Sequence, residues 1–419
     1  MRKIVLCLGL GQMISWGITY YLVGALGRAM SAGLGWSSAA IQGGFALALL
    51  ATGLCSPWIG AMSDRHGGRA VMCAGSLLNA AGCSLLAMSQ GAPLYYAGWL
   101  LLGLGMRCTL YDAAFAALAG TAGAGARRAM SQITLPGGLS ATLFWPLGQA
   151  LSDAAGWRGA LWTYAALALC TLPLHRALPA GAGRAPARRQ ADAMQSPQPP
   201  VPPIPAQGRR QLMLSGLLFA LLTTLANFVN AGMSAHMIPI LAALGIGGVA
   251  AVWIAAMRGV GQSAARLAEV LFGARLDPVA LNLAACLLLP PAFAIALAAG
   301  DSPAAGLAFS LLYGAGNGLL SITRGTLPLL LFDHRSYGRL VGRLVAPGFL
   351  LSAAAPVLYA WLMDAAGERA GLPLPALAQT GAAARRNEKR KRPASLRAVA
   401  GAASCRHQFI FTPAASLSL

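Results

Sequence analysis

The sequence predicts an all-α polytopic membrane protein built as two pseudo-symmetric helical bundles, with six and five clear spans, around a central cavity. Three observations carry that reading: apolar runs long enough to cross a bilayer, basic residues confined to alternate breaks, and a polar stripe that recurs at an offset of 211 residues. Composition agrees. Hydrophobic residues make up 57% of the 419-residue chain and charged residues only 10%, against about a quarter charged in a soluble domain. So few charges cannot cover a globular surface.

A spanning helix needs about 20 mostly apolar residues. Such runs fall near 4–27, 37–60, 70–90, 94–118, 129–151 and 158–178, and then near 211–237, 248–272, 279–299, 304–332 and 338–363. Helix is the expected form, because lipid offers nothing to hydrogen-bond an irregular backbone. Met1-Arg2-Lys3 and the run after it read as the first span rather than a leader, since that run is long and carries Gln12 and Trp16. Between the halves lies a Pro/Arg-rich segment, 179–210, with paired prolines at 199–200 and 202–203, which reads as a cytoplasmic linker. The expected domains are 1–178, the linker 179–210, a second bundle 211–363, and an atypical, disordered tail 364–419.

Orientation follows from the basic residues. With the N-terminus inside, sixteen of them, from Arg2 to Arg343, fall in inside segments, and only Arg28 and Arg158 fall outside. That asymmetry sets topology. It also removes the nucleic-acid reading of the +20 net charge, because the charges punctuate spans instead of forming one patch. The eight cysteines contain no CxxC and mostly sit in apolar runs, so neither a metal site nor a disulfide framework is expected. No phosphate-binding loop is present. Gly232-Met-Ser234-Ala235-His236 does not make an intramembrane enzyme, because adjacent helical residues point apart and a nucleophile must meet its base.

The halves repeat. Gln12, Trp16 and Thr19 share one face of span one; an offset of 211 gives Thr223, Asn227 and Asn230 in span seven. Gly103-Leu-Gly105 likewise maps to Gly314-Ala-Gly316, glycines expected to serve close helix packing. Parallel repeats with a site between them near the midplane are a transporter architecture.

The break between spans two and three reads Gly60-Ala-Met-Ser-Asp64-Arg65-His-Gly67-Gly68-Arg69. It resembles the signature loop G-x-x-x-D-R-x-G-x-R/K of the major facilitator superfamily, in the place where that family carries it, and the likeness in topology extends to about residue 363. The resemblance implies a secondary carrier working by alternating access, without enzymatic activity or cofactor, monomeric in the lipid bilayer, with a small solute and a proton as candidate coupling ion. Gly60, Asp64, Arg65, Gly67, Gly68 and Arg69 then form a gating loop, with Asp64 and Arg69 as its latch. The surroundings of Tyr20-Tyr21 and Gly98-Trp99 resemble bacterial monocarboxylate and oxalate/formate carriers, which implies the bacterial inner membrane. An efflux carrier for a drug-like or sugar-like solute and a non-transporting relative are the alternatives. The chain departs from the family in two places. The second-half counterpart of the loop, Glu269 to Asp277, is degenerate. A twelfth span is missing, and 385–397 carries seven basic residues where it would have ended. A shifted reading frame beyond about residue 370 would explain both the lost span and the disordered tail.

Charges inside apolar runs mark function, because each must face the bundle interior or a wet cavity. The candidates are Arg107 and Asp112 in span four, Arg258 and Gln262 in span eight, and Arg324 in span ten, joined by the stripe residues Gln12, Thr19, Asn227 and Asn230. Helical spacing keeps Arg107 and Asp112 from pairing, whereas Asp112 and Arg324 lie at similar depth and are expected to meet across the cavity. Arginines at this density suit an anionic solute, since guanidinium binds carboxylate bidentately. Asp112 is the candidate proton carrier. Arg266 is expected to pair with Glu269 three residues on, and His236 to lie at the outer surface.

Overall fold

The structure is a computed structural model that describes residues 2–122, 126–180, 209–272, 278–298, 302–331 and 337–366. The tail beyond residue 366, most of the linker and the segment 273–277 lie outside the described residues; the first three tail positions, 364–366, continue the last helix. Everything described between the breaks is helix, and the helices fall into eleven arms that coincide with the eleven apolar runs. Span one is Arg2–Ile18 and Leu22–Leu34, span two Ser38–His66, span three Gly68–Met88, and span four Ala92–Thr109 and Tyr111–Ala122. Ala126–Gly138 begins span five, and Ser140–Arg176 completes it and turns at Gly156 (φ 71°) into span six. Spans seven to ten are Arg209–Ala243, Gly248–Phe272, Pro278–Ala298 and Pro303–Leu331; span eleven is Tyr337–Ser352 and Ala354–Ala366. By length and hydropathy, 8 of these arms are long and apolar enough to cross a membrane. Span eight falls short because Arg258, Gln262, Arg266 and Glu269 interrupt it, all of them buried.

The repeat is visible in how the glycines pack. A Cβ on Gly103 would sit 2.4 Å from the Ala48 carbonyl oxygen in span two, and one on Gly314 would sit 2.1 Å from the Arg258 oxygen in span eight. Gly105 abuts Asn79 in span three, and Gly316 abuts Leu289 in span nine. Each second-half neighbour is one position from the residue that the 211 offset gives. The glycines serve packing in both halves, as expected.

The halves meet along four seams related in the same way. Span two lies against span eleven, with Gly53 against Leu350; span five lies against span eight, where Thr142 Oγ1 donates to the Ala256 oxygen (2.7 Å) and Ser263 Oγ to the Leu135 oxygen (2.9 Å). Span one meets span seven through Tyr20 and Asn230, and span four meets span ten through Asp112 and Arg324.

Among the described residues, four spans break at mid-depth. Span one stops at Ile18 and restarts at Leu22, span four is interrupted at Leu110 (ψ −174°), span five at Leu139, and span eleven at Ala353. A break frees backbone polar groups that lipid cannot satisfy. In span four Gln12 Nε2 donates to the Thr109 oxygen (2.6 Å), and at the restart of span five Ser140 Oγ donates to the Met13 oxygen of span one (2.7 Å).

The 60–69 loop is a helix-to-helix corner. Gly67 takes φ 90° with its N–H on the Ser63 oxygen (2.9 Å), a backbone region that favours glycine. Gly68 lies so close to Ala117 of span four that a Cβ would come within 2.4 Å. Gly60 is buried, Asp64 and Arg69 are half-buried, and Arg65 is exposed at this end of the span-two seam. Asp64→Asn is expected to slow uptake with undiminished protein in the membrane. Unchanged uptake at equal abundance would reduce the loop to a topological device.

Candidate functional site

At the centre, between the halves, lies a cavity of about 60 Å³. Trp16, Tyr21 and Tyr111 wall it on the first-half side; Asn227, Asn230, Gln262, Asn282, Asn317 and Ser321 wall it on the other, together with Arg266 and Arg324. The wall is therefore aromatic on one side and amide-rich and cationic on the other.

Arg324 reaches across it. Its Nη2 donates to Asp112 Oδ2 at 2.5 Å and its Nη1 to Asn227 Oδ1 at 3.1 Å, with the guanidinium over the Phe349 ring. The ion pair joins span four to span ten, and its side chains are only 15% and 7% exposed. Asp112 and Arg324 thus meet where the sequence places them. Arg107 turns the other way, its Nε on Ser56 Oγ (2.6 Å) and its Nη2 on the Ser56 oxygen (3.3 Å), inside the first half. It shares a void of about 10 Å³ with Asp112 and Arg324 and is not within ion-pair distance of Asp112.

Arg266 overturns the expectation of an i, i+3 pair with Glu269. The guanidinium points into the seam between the halves. Nη1 donates to the Thr134 oxygen (2.5 Å) and the Tyr111 hydroxyl (3.2 Å), Nη2 to Ser321 Oγ (2.6 Å), and Nε to the Gly318 oxygen (3.3 Å). A guanidinium carries five donors in a planar fork, and neutral acceptors from spans four, five and ten take them here. The spacing of residues carries no sign of this, because two of the four acceptors are backbone carbonyls that any residue supplies and the two hydroxyls come from distant spans.

Arg258 is fully buried one layer behind the cavity wall. Its Nη1 donates to Ser234 Oγ (3.1 Å), its Nη2 donates to Asn230 Oδ1, and the rings of Tyr21 and Tyr313 flank it at 5.4 and 4.9 Å. Among the described residues no carboxylate lies within ion-pair distance of Arg258 or Arg266. Burying a charge without a partner is costly, and aromatic faces with neutral acceptors offset only part of that cost.

Of the polar stripes, that of span seven faces the cavity and that of span one does so only through Trp16. Gln12 and Thr19 are buried within the first half, Gln12 on the Thr109 oxygen and Thr19 Oγ1 on the Ser15 oxygen (2.6 Å). The break after Ile18 ends the helical register on which the stripe depends. His236 also departs from expectation. The span-seven helix runs on to Ala243, so His236 lies inside it, 3% exposed, with Nε2 2.8 Å from the Pro356 oxygen and its ring stacked on Tyr359. Tyr21, Tyr111, Asn282, Asn317 and Ser321 were not among the sequence candidates; only Asn317 had a local signal, as the polar residue within the Gly314–Gly318 run.

A second cavity, of about 780 Å³, lies at the end of the molecule away from the 60–69 loop, lined among others by Arg28, Gln42, Asp153 and His236. Between the two cavities spans one and seven close together, and a Cβ on Gly24 would stand 2.3 Å from the Ser234 oxygen. Toward the loop end the span-five/span-eight seam and the contact of Gly325 with Phe115 pack beside the central cavity.

The family model for the Major Facilitator Superfamily matches residues 8–356. Among solved structures, the human organic anion transporter MFSD10 (TETRAN) superposes with a TM-score of 0.64 at 20% identity, covering 91% of this chain and 98% of that one. The nucleoside transporter NupG gives 0.64 at 12% identity over the same shares. No curated protein matches the sequence.

Proposed function

We propose, from the premise that the chain belongs to the Major Facilitator Superfamily, that it is a secondary active carrier of a small organic anion, a carboxylate. The family makes it a transporter, not an enzyme. The anion reading rests on one observation: Arg258, Arg266 and Arg324 cluster at the central cavity with Asp112 as the one carboxylate in ion-pair reach among the described residues. A solute carboxylate would supply the missing negative charge, and a charge-assisted fork would hold it. Trp16, Tyr21 and Tyr111 would cover its apolar part. At similar fold, the MFSD10 structure is by its title an organic anion transporter, but at 20% identity that likeness is one of fold, and the arginines carry the argument.

In this reading the protein sits as a monomer of eleven spans in a bacterial inner membrane with its N-terminus in the cytoplasm. The 60–69 loop then faces the cytoplasm and the larger cavity faces outward. Asp112 carries the coupled proton. Uptake by reconstituted protein of a panel of small carboxylates, with and without a pH gradient, tests it. Arg258→Gln is expected to weaken affinity about ten- to hundred-fold, the loss of a hydrogen bond to a charged group; wild-type affinity in that variant, or transport of cations alone, overturns the anion reading. A sugar-like solute is the second reading, favoured by the amides of Asn227, Asn282, Asn317 and Gln262 on one wall. Uptake of a neutral sugar that Arg258→Gln leaves untouched would support it instead.

A further inference from the structure

Asn230 touches both the buried cation Arg258 and the opposite half. Its Oδ1 accepts from Arg258 Nη2 and from Asn317 Nδ2 (2.9 Å), and its Nδ2 donates to the Tyr20 hydroxyl (3.0 Å). Arg258 and Asn317 belong to the second half, Tyr20 to the first. Tyr20 is itself fixed there, edge-on to Trp16 at 4.9 Å and to Phe45 at 5.2 Å between ring centroids. The Asn230–Tyr20 hydrogen bond ties span seven to span one.

The geometry of Arg258 makes that link sensitive to an anion. A guanidinium offers a carboxylate two parallel donors along one edge. Nε and Nη2 share such an edge. Among the described residues Nε has no partner, and Nη2 donates to Asn230 Oδ1. Asn230 lines the cavity wall and Arg258 lies behind it. An anion approaching that edge from the cavity meets the Asn230 amide first and competes with it for Nη2.

We propose that Asn230 couples anion binding to the gate between spans one and seven. The inference rests on the anion reading above. With no anion bound, the amide serves as the neutral ligand of Arg258 and its N–H₂ ties span seven to span one. When a carboxylate takes Nε and Nη2, the amide loses its cationic donor and turns, and Nδ2 leaves Tyr20. One turn beyond, the packing of Gly24 on Ser234 loses that support, and the two stand between the central cavity and the 780 Å³ cavity. A ligand shifts such an equilibrium only by its difference in affinity for the two states. Here the difference is that Asn230 competes with the anion in the closed state and not in the open one.

The test needs no knowledge of the solute. In full-length protein with its native cysteines replaced by alanine, Ala226→Cys places a thiol on the central cavity wall. Its rate of modification by an impermeant methanethiosulfonate reagent, added from the side of the larger cavity, reports opening of the gate. Tyr20→Phe and Asn230→Ala are each expected to raise that rate about five-fold, the weight of one hydrogen bond. Tyr95→Phe is the control: it removes an equally buried hydroxyl, bonded to the Ile41 oxygen (2.8 Å) within one half, and should leave the rate unchanged. Unchanged rates in both gate variants, or an equal rise in Tyr95→Phe, overturn the coupling. Arg258→Gln separates the two ideas: if its uptake affinity is unaltered the anion reading fails, whatever the labelling shows, and if its affinity falls while Tyr20→Phe labels at the wild-type rate, only the coupling fails.

Discussion

Gly314→Ala is expected to abolish uptake and to lower the melting temperature of the purified protein by several degrees, while Gly247→Ala leaves both at wild-type values. The difference is one of space. A methyl group at 314 would stand 2.1 Å from the Arg258 oxygen and 2.9 Å from its carbonyl carbon, and a backbone cannot move aside as a flexible side chain can. At Gly247 a methyl group meets nothing within 4 Å. Overpacking of this kind costs about 1–3 kcal/mol and at times more; contact with backbone puts Gly314 at the upper end. The helices Gly248–Phe272 and Pro303–Leu331 would be forced apart at the level where Arg258 is fixed, so the site and the packing fail together. Circular dichroism melts and uptake in the same preparations decide it. A Gly314→Ala protein as stable and active as Gly247→Ala would show that the two helices have room the structure does not give them.

That contact also shows what the sequence could carry. The eleven runs, the basic breaks and the Gly-x-Gly pairs depend on what each residue is and how far apart residues lie, and these features reappear in the structure with the repeat offset almost unshifted. The Asp112–Arg324 meeting was legible for the same reason: two buried charges of opposite sign at one depth have few other solutions. What was not legible depends on local breaks and on backbone acceptors. Thr19 leaves the cavity because span one stops at Ile18, and Gly17 before it is one of so many glycines in the apolar runs that it marks no stop by itself. Gln12, still inside the helix, turns to the Thr109 oxygen that the break in span four exposes. Arg266 reads as a helix-surface ion pair until the carbonyls of Thr134 and Gly318 are in place around it. His236 was misplaced by a helix end, the least certain feature of any hydropathy profile: six residues more of helix carry it from the rim to a buried contact with Tyr359.

Arg324→Gln is expected to reduce uptake at least a hundred-fold and to destabilise the protein, whereas Asp112→Asn is expected to spare stability and remove only the response to a proton gradient. The asymmetry follows from what each change leaves behind. Without Arg324, Asp112 stays 7% exposed with no cation within ion-pair distance, and removing one partner of a buried pair costs about 3–5 kcal/mol. Without the Asp112 charge, Arg324 keeps Asn227 Oδ1 and the Phe349 ring. The pair crosses from one half to the other, so it must break whenever the halves part on that seam. A proton on Asp112 would remove the charge that holds it closed, and a proton gradient can in that way drive the conformational cycle. Asp112→Asn should accordingly still exchange labelled for unlabelled solute across liposomes yet no longer accumulate it against a gradient. The double variant Asp112→Asn/Arg324→Gln should recover most of the stability that Arg324→Gln loses, because no buried charge is then left alone. Melting temperatures of the four proteins form a double-mutant cycle. Additive losses around it would mean that Asp112 and Arg324 act separately, and the gate would then need another link between spans four and ten.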